Sequence, residues 1–150
     1  MSAATLWIDG VPYPIAADET LYQCITRHLG PEAVPVLCHD PALKPVGACR
    51  LCTVEVAASF DGPRRMRAAC HTPAEDGSWV WPDSDAVIRL RRGILELLAA
   101  DLPADAFQPR PGETSNQLQR LMARYFVTDS RFPAGDTAPR IDDSHPYLRF

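Results

Sequence analysis

Lysine is nearly absent from this sequence: Lys44 is the only one among 15 basic residues, and the formal net charge is −4. No stretch is basic enough to collect phosphates, which argues against a nucleic-acid partner. Arginine is simply the default cation of the chain. We therefore interpret its two short arginine clusters as solvated faces: Arg64, Arg65 and Arg67, and then Arg89, Arg91 and Arg92.

Long apolar runs are also missing. No segment approaches the length of a transmembrane helix, and the first ten residues, MSAATLWIDG, lack the basic region and apolar core of a signal peptide. We therefore expect a cytoplasmic protein without membrane insertion. In a reducing compartment its five cysteines are expected to serve metal ligation rather than a disulfide framework.

The usual signatures of a catalytic site are absent too. There is no Gly-rich phosphate loop for NAD or flavin and no paired carboxylates in an acid/base arrangement. Of the four scattered histidines, His39 and His71 stand beside cysteines and are expected to neighbour a metal site rather than ligate it. No catalytic residue is assigned.

Residues 1–82 are predicted to be β-rich with one helix. Alternating apolar residues over 5–8 and 11–15 flank Asp9-Gly10, which predicts a β-hairpin. Asp18 is the predicted cap of a helix that buries Leu21, Ile25 and Leu29 and stops at Gly30-Pro31, with Cys24 as a small buried thiol. Further strands are predicted over 53–57, 66–70 and 78–81. This order predicts an α+β fold of the β-grasp type.

Beyond Pro82 the apolar period becomes helical. Asp83 or Ser84 is expected to cap a helix that ends near Leu102-Pro103, and Ser115 to cap a second one. We divide the chain into a β-grasp domain (1–82), a helical extension (83–130) and an extended tail (131–150). The predicted apolar faces are Val87, Leu90, Ile94, Leu97 and Leu98 on the first helix, and Leu118, Leu121, Met122, Tyr125 and Phe126 on the second.

Four cysteines follow the pattern C-x10-C-x2-C-x17-C: Cys38, Cys49, Cys52 and Cys70. Structural zinc sites usually use two short knuckles, each with a close ligand pair, and only one such pair exists here. A [2Fe-2S] cluster tolerates a wrapping loop and one distant ligand, because its two irons each bind one sulfur pair. The pattern favours [2Fe-2S].

The residues between these cysteines suit a buried, negatively charged cluster. Gly47 and Ala48 are small enough to let backbone N–H groups approach the sulfurs. Arg50 either offsets some of the charge or faces solvent. Pro35, Pro41 and Pro45 stiffen the loop, which lowers the entropic cost of ordering it.

Three runs, VPVLCHDPALKPVGACRLCTVEV, RAACHTPAEDGSWV and RRGILELLAADLP, resemble in order the N-terminal [2Fe-2S] domain of one family. Its members are the large iron-sulfur subunit of respiratory complex I, NAD-dependent formate dehydrogenases and NAD-linked hydrogenases. The resemblance implies a β-grasp electron-transfer domain in a larger cytoplasmic oxidoreductase. Within this family, the overall character of the sequence favours the formate dehydrogenase branch. The implied partners are a molybdopterin or hydrogenase catalytic subunit and a flavin/NAD subunit.

In that family a motif of one histidine and three cysteines after the long helix binds a [4Fe-4S] cluster, and this chain departs from it at each ligand. Pro103, Asp105, Leu118 and Gln119 of the surrounding motif remain. We therefore expect one [2Fe-2S] cluster and no [4Fe-4S] cluster, with apolar side chains packing the vacated site, in a free-standing small subunit or a fragment. The ligand positions are occupied by Leu102, Ala106, Pro109 and Asn116.

Two other functions fit the same residues. One is a structural module, with zinc or no metal, that tethers the subunits of such a complex. The other is a redox sensor controlled by oxidation or loss of its cluster.

Overall fold

The computed structural model describes residues 4–109, 111–133 and 147, and the chain divides into two compact units, Met1–Ile94 and Leu95–Phe150. The described part of the first unit holds a five-stranded sheet, helix α1 (Leu21–Leu29) and the start of helix α2 (Asp85–Ala100). That of the second holds the end of α2, a 3-10 helix (Ala104–Phe107) and helix α3 (Gln117–Arg124). None of these helices is long and apolar enough to cross a membrane. The predicted boundaries at 82 and 130 stay a prediction.

The sheet confirms the predicted α+β, β-grasp fold. Its spatial order is β2-β1-β5-β3-β4, with β1 and β5 parallel and the other neighbours antiparallel. Asp9 and Gly10 both have positive φ, 50° and 86°, as the tight turn of the predicted hairpin requires. The strands are β1 (Thr5–Ile8), β2 (Val11–Pro14), β3 (Thr53–Ala57), β4 (Arg65–Ala68) and β5 (Trp79–Trp81).

Helix α1 has a different cap from the predicted one. Thr20, not Asp18, is the cap: its hydroxyl accepts from the Gln23 N–H, and the Gln23 side chain accepts from the Thr20 N–H. This reciprocal box satisfies two backbone groups, whereas Asp18 lies in a turn with φ of 59°. Leu29 is exposed, so the predicted buried face is right only for Leu21 and Ile25.

The core of the first unit lies where α1 meets the sheet. Leu6, Ile8, Val54 and Val80 of the strands are buried, and so are Leu21, Cys24 and Ile25 of the helix. Burying each large apolar side chain contributes roughly 1.5–3 kcal/mol. Cys24 is wholly buried, which confirms its prediction as a core thiol.

Helix α2 buries a different stripe from the predicted one. Ser84 caps it, with its hydroxyl accepting from the Val87 N–H at 3.3 Å, as one of the two candidates predicted. The buried positions recur every four residues at Val87, Arg91, Leu95 and Ala99. The predicted apolar face is wrong at Leu90, Leu97 and Leu98, which are exposed, and the prediction that Arg91 is solvated is wrong because it is completely buried.

The described part of the second unit is organised by side-chain hydrogen bonds at the start of α3. Asn116, not Ser115, caps the helix in a reciprocal box with Gln119. Leu121, Met122 and Tyr125 are buried as predicted. Phe126 is 82% exposed at a φ of 55°, so its predicted place on the apolar face is wrong. The predicted tail conformation lies largely outside the described residues.

Candidate metal centre

The four predicted ligands come from one loop and two strand ends. Cys38 and Cys49 belong to the irregular segment that follows α1, Cys52 directly precedes β3, and Cys70 follows β4 by two residues. The β3–β4 register pairs Thr53 with Ala68, and the Ala69 N–H donates to the Cys52 carbonyl at 3.1 Å. The ladder therefore brings the third and fourth cysteines together even though 17 residues separate them.

The thiols meet two by two. The Cys49 N–H donates to Cys38 Sγ at 3.4 Å, and the Cys38 side chain helps to lower the pKa of Cys49. In the second pair, the Cys52 side chain acts on Cys70 and helps to raise its pKa. Among the described residues, no three His, Cys, Asp or Glu side chains are grouped as the ligands of one ion. Two sulfur pairs are the donor set that a two-iron core requires.

The acidities of the thiols follow from this crowding. Burial, then the Cys52 side chain and the charges of the other cysteines, raise the pKa of Cys70 to about 12. Burial also disfavours the thiolate of Cys49, but backbone hydrogen bonds from Leu51 and Leu37 outweigh it and lower that pKa. Four thiolates would repel one another, and a bound cation would relieve that repulsion.

Two left-handed backbone positions shape the loop around Cys49. Gly47 has a φ of 64° and is buried against the side chains of Ala68 and His71, and Arg50 has a φ of 59°. The Arg50 carbonyl accepts from both the N–H (3.1 Å) and the hydroxyl (2.7 Å) of Thr53, which closes the turn that carries Cys52. The Ala48 and Arg50 side chains are exposed.

Aromatic contacts border the site. The His39 ring lies on Tyr22, with ring centroids 4.6 Å apart, and His71 is exposed. Burial and then the charges of Cys52, Glu32 and Cys70 raise the pKa of Tyr22. The Tyr22 N–H donates to the carbonyl of Ala69, the residue before Cys70, at 3.0 Å.

The comparison with protein families identifies the class of domain that contains these pairs. Residues 2–85 match the 2Fe-2S iron-sulfur cluster binding domain, which is more than half of the chain. The chain belongs to this family. The match covers all four paired cysteines, and the thiol arrangement fits the [2Fe-2S] core that the family name implies.

The relatives of this [2Fe-2S] domain are oxidoreductase subunits. The chain is 36% identical over 104 residues to the G subunit of the NADH-quinone oxidoreductase of Yersinia pestis and 35% identical to that of Escherichia coli K12, in each case over 68% of this chain and 11% of the relative. It is 36% identical over 101 residues to the alpha subunit of the NADPH-Fe(3+) oxidoreductase of Geobacter sulfurreducens, covering 67% of this chain and 11% of that one. The chain therefore spans about a tenth of these relatives.

A solved structure shares the fold. The NAD+-reducing [NiFe]-hydrogenase in the H2-reduced state includes a chain that is 28% identical, with a TM-score of 0.72 over 97% of this chain and 58% of that one. The predicted family, which named complex I and NAD-linked hydrogenases, is thereby confirmed.

Sequence reasoning missed one residue beside the site. Arg91 reaches the backbone on both sides of Cys52, with its Nε 2.9 Å from the Leu51 carbonyl oxygen and its Nη2 2.9 Å from that of Thr53. The available signal was its spacing, four residues after Val87 and four before Leu95. The sequence interpretation places it in a solvated cluster instead, because arginine is the default cation of a chain with one lysine.

Proposed function

We propose that this chain is an electron-transfer component that carries one [2Fe-2S] cluster on Cys38, Cys49, Cys52 and Cys70. The observation that supports it most directly is the arrangement of these thiols as two pairs inside a domain of this family. When bound, the cluster supplies one-electron transfer. The protein holds the sulfurs, sets their hydrogen bonds and excludes water from the strand-end pair.

The loop residues have supporting roles in this proposal. Backbone N–H groups of Leu51 and Leu37 stabilise negative charge on the Cys49 sulfur, which needs the left-handed turn at Gly47 and a close approach of the chain. Ala48 leaves room for that approach, and the exposed Arg50 offsets part of the cluster charge. These roles for Gly47, Ala48 and Arg50 are proposals.

Metal analysis of the protein purified without oxygen tests the ligand set. We expect a red-brown protein with about two irons and two sulfides per chain. Replacing any of the four paired cysteines by serine should damage the cluster, while Cys24→Ala should leave its absorption and circular dichroism intact. A colourless protein with one zinc, or bleaching by Cys24→Ala alone, would overturn the assignment.

We further propose that the chain binds no [4Fe-4S] cluster. The positions of the lost ligands are used for other contacts: Asn116 caps α3, and the Gln119 amide donates to the Ala106 carbonyl at 2.9 Å. Hydrogen bonds thus join the 3-10 helix to α3 in the second unit. Apolar side chains fill the vacated site less than predicted, because Leu102 is 36% exposed.

Low-temperature EPR with an iron count on the same sample tests the number of clusters. A single slowly relaxing signal with about two irons per chain is expected after reduction by dithionite. A second, fast-relaxing signal with about six irons would show that Asn116 and its neighbours do not replace the motif.

We propose that the complex is cytoplasmic and NAD-linked, with formate dehydrogenase as the favoured branch. The named relatives support an oxidoreductase complex, and the formate branch rests on the sequence resemblance alone. The partners would be a molybdopterin or hydrogenase catalytic subunit and a flavin/NAD subunit.

Affinity purification from native extract identifies these partners. A molybdopterin subunit is expected, whereas a nickel-iron hydrogenase subunit or a quinone-linked membrane arm would exclude the formate branch. Purification with a transcription factor in place of an oxidoreductase would favour a sensor.

A variant lacking residues 133–150 should keep its cluster spectrum but assemble less completely with the partner subunits. It retains Arg131, whose Nε lies 2.7 Å from Glu96 Oε2 in the second unit.

A further inference from the structure

Arg91 is the largest fully buried side chain of the described residues. A buried guanidinium is costly unless its charge and its donors are matched by partners. Here Nη1 lies 2.6 Å from Asp83 Oδ1, while Nε and Nη2 donate to the carbonyls of Leu51 and Thr53. The planar fork of arginine serves all three partners at once, and lysine has no such fork.

The two carbonyls are the ones that flank Cys52. In a trans peptide the C=O and N–H groups point in opposite directions, so fixing the Leu51 and Thr53 carbonyls also fixes the two N–H groups that follow them. The Cys52 carbonyl is tied separately, to the Ala69 N–H at 3.1 Å. The backbone on both sides of Cys52 is therefore oriented by Arg91 and Ala69, which do not belong to the loop.

Leu51 lies between Cys49 and Cys52, so the clamp acts on the segment that joins the two cysteine pairs. The Leu51 carbonyl accepts from Arg91 Nε at 2.9 Å, which limits how the peptide group that carries the Cys52 N–H can turn. An N–H aimed at a ligand sulfur stabilises the more negative, reduced state of a cluster and raises its reduction potential.

We propose that Arg91 is a positioning residue that tunes the cluster by holding Leu51 and Thr53 and by placing a fixed positive charge behind Cys52. The inference deepens the proposed function and rests on it, because it requires the cluster to be present. Asp83 is the counterion that limits the effect of the charge. Its side chain is half exposed, so it offsets the guanidinium only in part.

Four substitutions in the 150-residue chain separate positioning from simple stability. Arg91→Met removes the charge and all three contacts while keeping much of the volume, and Arg91→Lys keeps the charge without the fork. Asp83→Asn keeps an acceptor for Arg91 and removes the counterion. Arg92→Met is the matched control, because Arg92 is the next residue of α2 and is exposed.

The measurements are the midpoint potential in a mediated redox titration and the visible circular dichroism of the cluster, on samples with equal iron content. Arg91→Met is expected to shift the potential to more negative values, change the dichroism and release iron to a chelator about tenfold faster. Arg91→Lys should change the dichroism with a smaller shift in potential. Asp83→Asn should shift the potential to more positive values, and Arg92→Met should change nothing.

Wild-type potential and dichroism in cluster-loaded Arg91→Met would overturn the proposal, even if that variant melted at a lower temperature. Should Arg91→Met fail to fold, the other two variants decide: unchanged potentials in both Arg91→Lys and Asp83→Asn would overturn it equally. A wild-type chain without any cluster would instead overturn the proposed function, and the two failures are distinguished by the iron content of the wild type.

Discussion

The two cysteine pairs differ in how the fold holds them. Cys52 and Cys70 are 0% and 1% exposed, lie at the ends of hydrogen-bonded strands and adjoin the backbone that Arg91 clamps. Cys38 and Cys49 are half-buried and lie in an irregular loop whose order depends on backbone contacts to the sulfurs themselves. We call these the strand-end pair and the loop pair.

This difference indicates that the fold alone orders one half of the site, the strand-end pair. The strand-end pair takes its geometry from the sheet, which is stabilised by the core whether or not metal is bound. The loop pair has less burial to order it, so binding of the proposed cluster would have to supply more of its ordering free energy. Changes at the two pairs should therefore have unequal effects.

Serine substitutions give the largest expected contrast. An oxygen ligand sits closer to Cβ than a sulfur does, so the chain must move for a serine to reach the iron. The loop can make this movement, whereas the strand ends cannot without breaking the β3–β4 ladder. Cys52→Ser and Cys70→Ser should lose the cluster, while Cys38→Ser and Cys49→Ser should retain a fraction of it.

Iron and sulfide content after identical anaerobic reconstitution measures that contrast, with Cys24→Ala as the control that retains the full cluster. Equal losses from all four serine variants would show that the strand-end pair is no more rigid than the loop pair.

Glu19 is a buried carboxyl group close to the start of helix α1. Its carboxylate accepts from the Ala16 N–H (2.9 Å) and from Arg27 (2.6 Å), and its carbonyl accepts from the Ala74 N–H, four residues beyond Cys70. Burial opposes the charge of Glu19, but the Arg27 and Ala16 hydrogen bonds outweigh it and lower its pKa. Glu19→Gln should lower the free energy of unfolding by about 1–2 kcal/mol at pH 7.

The pH dependence of this loss follows from the sign of the shift. A carboxyl whose pKa is lower in the folded state contributes stability above its unfolded pKa of about 4.3 and loses it as the pH falls through the folded value. Denaturant melts of wild type and Glu19→Gln should therefore differ at pH 7 and converge below about pH 4. A difference that persisted unchanged into acid would show that the charge of Glu19 is not responsible.

Gly47 tests the loop pair. A side chain at φ of 64° costs about 1–2 kcal/mol, whereas the space for a Cβ is adequate, with the nearest side-chain atoms at 3.7 and 3.8 Å. Gly47→Ala should therefore release the cluster to a chelator about tenfold faster and lower the melting temperature by a few degrees. Val46→Ala is its control, since Val46 precedes Gly47 in the same loop and its side chain is 71% exposed. Equal release rates in the two variants would contradict the proposal that the left-handed backbone at Gly47 orders the loop pair.

Asp9 lies outside both pairs and gives the smallest effect. Burial and then the charge of Asp83 raise the pKa of Asp9, with Arg64 opposing them. A carboxyl with a raised pKa in the folded state destabilises the protein once both states are ionised. Asp9→Asn should therefore add a few tenths of a kcal/mol at pH 7, because solvent screens this exposed turn.

The gain from Asp9→Asn should shrink as the pH falls through the folded pKa, and it should vanish only when the carboxyl is protonated in both the folded and the unfolded states. The amide also suits a turn with positive φ followed by Gly10. Thermal melts at pH 7 and pH 4 check the stability change, and the cluster spectrum should match wild type at both pairs. A gain of equal size at pH 4 would show that the better fit of asparagine to the turn, and not removal of the charge, stabilises the protein.

Local signals in the sequence were enough to predict the β-grasp type of the sheet and the presence of α1, and to select four cysteines as ligand candidates. Asp9-Gly10 favours a tight turn, alternation over Thr5–Ile8 favours a strand, and the cysteine spacing favours one kind of metal site over another. Such signals depend on neighbouring residues, so they survive without knowledge of the fold.

Tertiary structure decided which polar groups are buried and which cysteines meet. Asp18 and Thr20 are both good helix caps, and Thr20 prevails because Leu21 and Tyr22 donate to the carbonyls of Thr72 and Ala69 across the fold. In the sequence, Arg91 resembles a solvated cation. In the fold, the carbonyls beside Cys52 and the carboxylate of Asp83 surround it. Burial of a charge depends on partners distant in the chain, and no local pattern records them.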